Sequence, residues 1–430
     1  PNEISCAGAW PTLIRLANSH PGRPLRTNLA LSIQQQVCEA AAKHLSKLRH
    51  SGVNAIAVVV LDTATADCLA SVSISERAKD LDLTVCPRST GSTLKPFIYA
   101  AAFEAGMCTP QTVLEDSPAA WAGYAPADYD HKFRGQLTAA EALADSRNIP
   151  AMRVLADLGV QHVIGVMEAA GFKTLARSSR NYGLPLAIGG ANATPLELAQ
   201  AYATLARGGL ARNARLIESD SVPGDSPRCL DESACWQTLT AISGADRTAA
   251  VCPEAAKTFV AWKTGTSSGH RDAWCAATTR HRTAVVWMGN INDEGSAALV
   301  GQESAAPLAL QLIAALDRTS NQPWPATPSR KEASPIQITR RSTEQLSILS
   351  PYPGEQFVLS DDLPSSRQRI MLRATASSFQ ARKIWWFIDG TPLGQCIASQ
   401  PFGWSPIAGA HTVRAVDEAG RAASVQIFVR

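Results

Sequence analysis

Residues 88–97, RSTGSTLKPF, place Ser92 three positions ahead of Lys95. On a helix this spacing puts both side chains on one face, where they can meet. A serine hydroxyl becomes a good nucleophile only when a base takes its proton, and a lysine acts as that base when burial or a second cation keeps it neutral. Pro96 fits a helix only if Lys95 lies in the first turn, where backbone N–H groups have no intrahelical partner. The stretch therefore predicts a helix start that carries a nucleophile and its base.

Two later motifs extend this pattern in a fixed order. LADSRNIPA (143–151) sets Ser146 and Asn148 two positions apart after an alanine-rich segment. WKTGTSSG (262–269) follows an apolar run and places four residues on a predicted strand: Lys263, Thr264, Gly265 and Thr266. Alone, the first motif is better explained as a helix cap and the second as an exposed edge strand. In the order S-x-x-K, S-x-N, K-T-G, they match the signature of serine acyl transfer.

The three motifs supply a complete set of groups for acyl transfer. Ser92 can attack a carbonyl carbon while Lys95 accepts its proton. Ser146 can pass a proton toward the leaving nitrogen, and Lys263 keeps the site positive. The strand that carries K-T-G can pair with an extended peptide, and its hydroxyls and ammonium can hold a carboxylate. Backbone N–H groups of Ser92 and Thr266 are the candidates for holding the oxyanion.

Composition limits the class of protein. The 430 residues exceed one ordinary core, so two domains are expected, and 45% hydrophobic with 18% charged residues is typical of a folded chain. A net charge of +3 without basic clusters argues against nucleic-acid binding. No apolar run is long enough for a membrane span.

Ten cysteines permit disulfides in an oxidising compartment. Cys229, Cys235 and Cys252 lie closest together, where a bridge would tie down a polar loop. The absence of a C-x-x-C pair and of a nearby histidine pair argues against zinc, and the sequence implies no metal and no cofactor.

Hydrophobic periodicity divides the chain into segments. Residues 27–48 have the spacing of an amphipathic helix, and an apolar hairpin follows. A helical block, three strands between residues 258 and 290 and a closing helix predict a mixed sheet with helices packed on it. The predicted boundaries are an N-terminal linker remnant at 1–26, a catalytic domain at 27–318, a Pro/Ser-rich linker at 319–343 and a β-sandwich at 344–430.

The quoted motifs, with FRGQLTAAEALADSRNIPA (133–151) and AWKTGTSSGHRDAW (261–274), resemble the transpeptidase domain of class A penicillin-binding proteins. The tail, including KIWWFIDGTPLG (383–394), resembles the β-rich domain that ends such proteins. The resemblance implies an α/β (α+β) fold of the serine penicillin-recognising type. Its parts are an antiparallel five-stranded sheet between helical layers and a small Ig-like C-terminal β-sandwich.

The resemblance also implies a function. Such enzymes are peptidoglycan D,D-transpeptidases that cross-link stem peptides through a serine acyl-enzyme, and β-lactams acylate the same serine. The implied catalytic residues are Ser92, Lys95, Ser146, Asn148 and Lys263. The implied substrate-binding residues are Thr264, Gly265 and Thr266. The expected partners are D-Ala-D-Ala stem peptides, β-lactams and a cell-wall protein that binds the C-terminal domain, and the expected location is the periplasm.

Other functions stay open on sequence alone. A D,D-carboxypeptidase uses the same motifs with water as acceptor, and a catalytically weak scaffold or β-lactam-binding protein would keep them too. A β-lactamase is disfavoured, since no additional glutamate motif of the class A kind appears between the second and third motifs. No glycosyltransferase segment is recognised, so glycan polymerisation by this chain is not expected. Trp385 and Trp386 are neighbours on one predicted strand, so one faces the core and the other is available to a protein partner or a glycan.

Overall fold

The structure is a computed structural model in which two compact units are distinguished, the first ending at residue 325 and the second beginning at residue 346 among the described residues. It describes residues 8–117, 130, 132–176, 182–218, 226–317, 323–325, 346–359, 368–376, 383–397, 400–417 and 422–430.

The first unit combines helices with a central sheet. Its helices are α1 (Trp10–Ser19), α2 (Leu31–Leu48), α3 (Lys95–Glu104), α4 (Ala139–Ala144), α5 (Asn148–Leu158), α6 (Val160–Ala170), α7 (Lys173–Ala176), α8 (Pro195–Ala206), α9 (Glu232–Ala241), α10 (Ala245–Ala249) and α11 (Ala306–Leu316). Its strands are β1 (Ala55–Asp62), β2 (Cys68–Ser75), β3 (Arg88–Ser89), β4 (Val113–Asp116), β5 (Gly135–Thr138), β6 (Asn192–Ala193), β7 (Ala261–Thr266), β8 (Asp272–Thr278) and β9 (Arg282–Gly289).

Five of these strands form one antiparallel sheet in the order β2-β1-β9-β8-β7. The predicted hairpin corresponds to β1 and β2, and the three predicted C-terminal strands correspond to β7, β8 and β9. Strand β1 reads AIAVVVLD and is buried along nearly its whole length, because both of its faces are covered. Strand β7, which carries K-T-G, lies at the edge of the sheet.

Helices cover both faces of this sheet. On one face α2 and α11 join the sheet in a single apolar core, to which α2 contributes Val37, Ala41 and Leu45, three residues of the predicted amphipathic pattern. On the other face α8 packs against β1, β9 and β8. The predicted fold class, an antiparallel five-stranded sheet between helical layers, is therefore confirmed.

The structure departs from the predicted linker at 1–26 within residues 10–19, which form α1. Pro11 fits the first turn of this helix, because its missing N–H would have had no partner there. Thr12 Oγ1 lies 2.8 Å from Ser71 Oγ on β2, and Arg15 Nε donates to Asp82 Oδ2 at 2.8 Å. This segment therefore packs on the sheet unit.

The linker predicted at 319–343 falls almost entirely outside the described residues, so its boundaries stay predictions. Trp324, within the described stretch 323–325, is buried and stacks on Trp236 of α9 with ring centroids 5.8 Å apart. Its indole N–H donates to Ser243 Oγ at 2.9 Å. The start of the predicted linker is therefore anchored to the first unit.

The second unit is built of strands. They are β10 (Leu346–Ser350), β11 (Gln356–Phe357), β12 (Ile370–Ala376), β13 (Lys383–Ile388), β14 (Thr391–Ile397), β15 (Phe402–Trp404), β16 (Gly409–Asp417) and β17 (Ala422–Val429). They form a three-stranded sheet, β10-β12-β15, and a five-stranded sheet, β11-β17-β16-β13-β14. Side chains from both sheets share one apolar core, as a β-sandwich requires.

The adjacent tryptophans of β13 face opposite sides of their sheet. Trp386 is fully buried in the shared core, and its indole N–H donates to Cys396 Sγ at 3.3 Å. Trp385 is half-buried on the other face, opposite Gln395 and Val416 of the neighbouring strands. Alternation along a strand explains this arrangement.

All cysteines among the described residues are free thiols. The bridge considered among Cys229, Cys235 and Cys252 is not formed, and Cys229 Sγ donates instead to Gly209 O at 3.3 Å. Within the described ranges, no single helix combines the length and apolar character needed to cross a membrane, and α5 with α6 passes such a test only as a pair bent by 97°.

Candidate active site

The turn that carries Ser92 leads directly into a helix. A 3₁₀ turn, Gly91–Leu94, ends where α3 begins at Lys95, so Pro96 lies in the first helical turn as its chemistry requires. Ser92 is half-buried, whereas Lys95 is fully buried. The local conformation predicted from S-x-x-K is therefore present.

Glycines bring the K-T-G strand against this turn. A Cβ atom on Gly265 would lie 2.3 Å from Thr90 O and 3.3 Å from Ser92 N, and one on Gly91 would lie 2.6 Å from Thr266 N. Gly91 also has a φ of 54°, a left-handed value that other residues rarely adopt. The backbones of β7 and the serine turn can therefore approach closely, with the N–H groups of Ser92 and Thr266 at the same junction.

The second motif lies between two short helices. Helix α4 begins with a capping box between Thr138 and Glu141, which fixes its start. Ser146 then adopts a φ of 59°, and Asn148 begins α5. A left-handed conformation at a serine costs on the order of 1–3 kcal/mol and typically marks a functional site.

Arg147, the middle residue of the second motif, points into the protein. Its guanidinium Nε donates to Asp116 Oδ2 at 2.8 Å, and the exposed fractions of the two side chains are 3% and 0%. A second nitrogen donates to both carboxylate oxygens of Asp130 at 3.0 Å. Because this pair is buried and bonded, it fixes the backbone on either side of Arg147, at Ser146 and Asn148.

The side chains of the three motifs meet at Ser146. Lys95 Nζ donates to Ser146 O at 2.5 Å and to Asn148 Oδ1 at 2.7 Å, and lies 3.4 Å from Ser146 Oγ. Lys263 Nζ donates to the same Ser146 Oγ at 2.7 Å and to Thr264 O at 3.0 Å. The structure thus joins residues that are 51, 53 and 117 positions apart in the chain.

The protonation of Lys263 is strongly perturbed. Burial lowers its pKa well below the usual value, and the positive charges of Lys95 and Arg247 lower this pKa further. A lysine of this kind holds its proton less tightly than a surface lysine does.

Strand β7 presents a polar surface at the edge of the sheet. Thr264 and Thr266 are half-buried on it, and Thr266 Oγ1 accepts a hydrogen bond from Gly301 N at 2.9 Å. Because this hydroxyl acts as an acceptor there, its own proton remains available to a bound carboxylate. The edge also leaves one side of the β7 backbone without a strand partner in the sheet.

Several residues that sequence motifs did not identify also hold the site. Tyr202 Oη donates to Thr93 O at 2.8 Å, and Trp274 Nε1 donates to Ser89 O at 2.7 Å. Both bonds fix carbonyls close to Ser92. Nothing in the sequence shows which carbonyl the Trp274 indole meets, so this contact is visible only in the structure. Among the described residues, no group of three or more His, Cys, Asp or Glu side chains is arranged to hold a metal.

Two protein families match the chain, one in its N-terminal part and one in its C-terminal part. Residues 56–314 match the family described as penicillin binding protein transpeptidase domain, and residues 336–427 match the penicillin-binding protein C-terminus family. Penicillin-binding protein 1C of Escherichia coli (strain K12) is 30% identical over 323 residues, which are 71% of this chain and 40% of that protein. Penicillin-binding protein 1A of Neisseria cinerea is 29% identical over 225 residues, 47% of this chain and 28% of that protein.

Solved structures share the fold. The penicillin-binding protein PonA1 of Mycobacterium tuberculosis aligns with a TM-score of 0.64 and 21% identity, over 74% of this chain and 92% of that one. The same protein in complex with penicillin V aligns with a TM-score of 0.63 and 21% identity, over 76% and 96%. The chain spans less than half the length of the two curated relatives named above. The resemblance seen in the motifs is thereby confirmed at the level of the family.

Proposed function

Because the chain belongs to the penicillin-binding protein family and carries its transpeptidase domain, we propose that it is a serine-type D-Ala-D-Ala transpeptidase of the cell wall. In this proposal it cross-links peptidoglycan stem peptides through an acyl-serine at Ser92, and β-lactams acylate the same residue. The observation that carries the proposal is the meeting of Lys95 and Lys263 at the hydroxyl of Ser146, beside the turn of Ser92.

The first half-reaction transfers an acyl group to the enzyme. Ser92 Oγ forms a bond to the carbonyl carbon of the penultimate D-alanine, and its proton passes to the neutral amine of Lys95. The C–N bond to the terminal D-alanine then breaks. Ser146 donates its hydroxyl proton to the leaving nitrogen and regains one from Lys95, whose nitrogen lies 3.4 Å away. The proton that Ser92 lost thus leaves with D-alanine.

The second half-reaction returns the enzyme to its starting state. An amine of a neighbouring stem peptide attacks the ester carbonyl, the bond to Ser92 Oγ breaks, and the amine's proton returns to Ser92 through the same groups. Water in place of the amine would give the D,D-carboxypeptidase reaction. A β-lactam follows the first half only, since its ring C–N bond opens and the amine stays tethered to the acyl group.

Strand β7 is the proposed substrate-binding edge. An extended stem peptide can add to this edge by backbone hydrogen bonds, the usual mode of strand addition. Thr264, Thr266 and Lys263 then offer hydroxyl and ammonium donors to the terminal carboxylate. Gly265 keeps this strand close to the serine turn, because any side chain there would meet Thr90 O.

The proposed location is the periplasm, where peptidoglycan cross-linking takes place. The second unit is proposed to bind a cell-wall protein through the face of its five-stranded sheet that carries Trp385. Phe387 lies on the same face, two positions along β13, and Lys383 and Arg414 add positive charge to it. Aromatic residues and arginine are enriched at protein-binding surfaces, which supports this face as the binding surface.

Intact-protein mass spectrometry tests the proposed reaction. The chain and its Ser92→Ala variant are each incubated with several β-lactams and with a D-Ala-D-Ala thioester. A covalent adduct that disappears in Ser92→Ala supports the acyl-serine, and adding a D-amino acid as acceptor then distinguishes aminolysis from hydrolysis. An adduct that persists in Ser92→Ala, or the lack of any adduct, contradicts the proposal. The exposed residue Ser46, changed to alanine, is the matched control.

A further inference from the structure

Arg247 lies behind the K-T-G strand, on the short helix α10. Its guanidinium carbon is 3.5 Å from the ring centroid of Trp262, the residue that immediately precedes Lys263. The same guanidinium donates to Trp262 O at 3.2 Å and to Ile242 O at 3.3 Å. Arg247 therefore contacts both the side chain and the backbone of the residue before the catalytic strand's lysine.

Trp262 is held by further bonds to the same region. Its indole N–H donates to Thr248 Oγ1 at 2.9 Å, and its backbone N–H donates to Ile242 O at 3.2 Å. Trp262 is itself fully buried. Because a planar guanidinium both stacks on a ring and donates in fixed directions, it restricts the rotation of this peptide more than a lysine would.

The positive charge of Arg247 has no carboxylate partner among the described residues. The side chain is half-buried, and burial lowers its pKa to about 10. The titratable groups that act on it from neighbouring elements are Cys275 of β8, Asp145 before Ser146 and Tyr202 of α8. Carbonyl oxygens and an aromatic ring satisfy the guanidinium, and no nearby carboxylate in the described ranges neutralises its charge.

We propose that Arg247 is a positioning residue for acyl transfer: it fixes the peptide of Trp262, and so the direction of Lys263 toward Ser146, and places an unneutralised positive charge behind that lysine. This inference rests on the function proposed above and assigns a role to a residue outside its three motifs.

The charge has a defined effect on Lys263. The groups that act on Lys263 are Lys95 from α3, Arg247 from α10 and Cys275 from β8. Burial lowers the pKa of Lys263 most, and Lys95 and Arg247 lower this pKa in the same direction. Arginine keeps its charge at neutral pH, so Arg247 lowers the pKa of Lys263 without itself losing a proton there. Removing Arg247 should therefore raise the pKa of Lys263.

The test compares Arg247→Met with Arg247→Lys in the full chain. The measurement is the rate constant of acylation by a fluorescent penicillin, recorded by stopped flow across pH, with the midpoint of thermal unfolding for each variant. For Arg247→Met we expect a loss of at least about tenfold at neutral pH, because a small misplacement of a reacting group is costly. We also expect an upward shift of the falling limb of the pH profile, on which Lys263 loses the ammonium charge that holds the substrate carboxylate. Arg247→Lys keeps a charge, so its falling limb should stay near that of the unmodified chain while its rate is partly reduced.

Arg207 provides a matched control. It too is half-buried with a pKa lowered to about 10, and it donates to the backbone carbonyls of Leu210 and Thr63 at 2.9 and 2.7 Å. Thr63 follows β1, which β9 and β8 separate from β7. Arg207→Met should lower the unfolding midpoint without moving the pH profile. If Arg247→Met behaves in the same way, with an unshifted pH profile, the inference is overturned.

A second measurement does not depend on activity. Unfolding midpoints of Lys263→Met, Arg247→Met and the double variant form a cycle, and the two effects should be non-additive if Arg247 acts on Lys263. Additive effects contradict the inference even where β-lactams acylate the chain normally. Non-additive effects in a chain that forms no adduct would support the inference while refuting the proposed function.

Discussion

The ammonium of Lys263 lies 2.7 Å from the hydroxyl oxygen of Ser146, and these two residues are 117 positions apart in the chain. Lys95 approaches the same oxygen at 3.4 Å. One hydroxyl therefore lies between two amines, an arrangement through which a proton can move from the side of the nucleophile to the side of the leaving group.

The side-chain oxygen of Asn148, which accepts a hydrogen bond from Lys95, should increase the rate of acylation. Asn148→Ala removes the oxygen that lies 2.7 Å from Lys95 Nζ. Once Lys95 has taken the proton of Ser92, this bond is one to a charged group, which contributes about 1.5–3 kcal/mol, so acylation by a fluorescent penicillin should fall by roughly 10- to 150-fold. Asn28→Ala, which loses a bond to Asp67 far along the chain from the motifs, is the control. An unchanged rate in Asn148→Ala would remove this residue from the proposed site.

Gly265 should tolerate no side chain. In Gly265→Ala the new Cβ would lie 2.3 Å from Thr90 O, a backbone atom, so β7 and the serine turn must separate. Displacement of about 1 Å can cost roughly 100-fold in rate. The acylation rate should therefore collapse while the circular dichroism spectrum stays similar.

Gly165→Ala in α6 is the contrasting variant, since its Cβ would meet no atom within 4 Å. We expect it to raise the free energy of unfolding by about 0.4–1 kcal/mol and to leave acylation unchanged. If the Gly265→Ala variant were acylated as fast as the unmodified chain, the close approach of β7 to the serine turn would not be needed for acylation.

Burial of Lys263 should make stability depend on pH. Its folded-state pKa lies well below its usual value of 10.5, so between those two values the unfolded chain binds a proton that the folded chain does not. The free energy of unfolding that is lost by burying Lys263 is therefore largest below the folded-state pKa, and this loss disappears as pH rises to 10.5. The unfolding midpoint of Lys263→Met minus that of the unmodified chain should be greatest at neutral pH and decrease toward alkaline pH. A difference that is constant with pH would contradict the perturbed pKa.

The buried pair of Arg147 and Asp116 should be costly to break. Arg147→Met leaves the carboxylate of Asp116, which has no exposed surface, without its main partner. We expect a loss of about 3–5 kcal/mol in the free energy of unfolding, measured by urea titration. The additional change Asp116→Leu should recover part of that loss, because no buried charge then remains.

The exposed pair of Arg49 and Glu76 is the control for this comparison. Its atoms are 2.8 Å apart, but the side chains are 51% and 47% exposed. Arg49→Met should therefore cost less than about 1 kcal/mol. Similar losses for Arg147→Met and Arg49→Met would mean that the pair at the second motif contributes little.

The sequence was sufficient for the elements whose signal is local. Lys95 and Pro96 could be placed in the first turn of α3 because proline chemistry allows few other positions. The hairpin of β1 and β2 and the strands β7 to β9 follow from apolar runs between polar turns. Helix α1 lies where a linker was predicted, because its amphipathic pattern spans only ten residues. The edge strands β14 and β15 contain glycine or proline and lack a clear alternation.

What the sequence determined by itself is the set of reactive groups: the serine, the lysines and the amide at spacings that acyl transfer requires. Only the tertiary structure decided that Lys95 and Lys263 both reach Ser146, that Gly265 lies against the serine turn, and that Arg247 stands behind Lys263 without an acid. Spacing within a motif is set by the geometry of one helix or strand. Distances between motifs depend on the packing of helices on the sheet, which no single segment encodes.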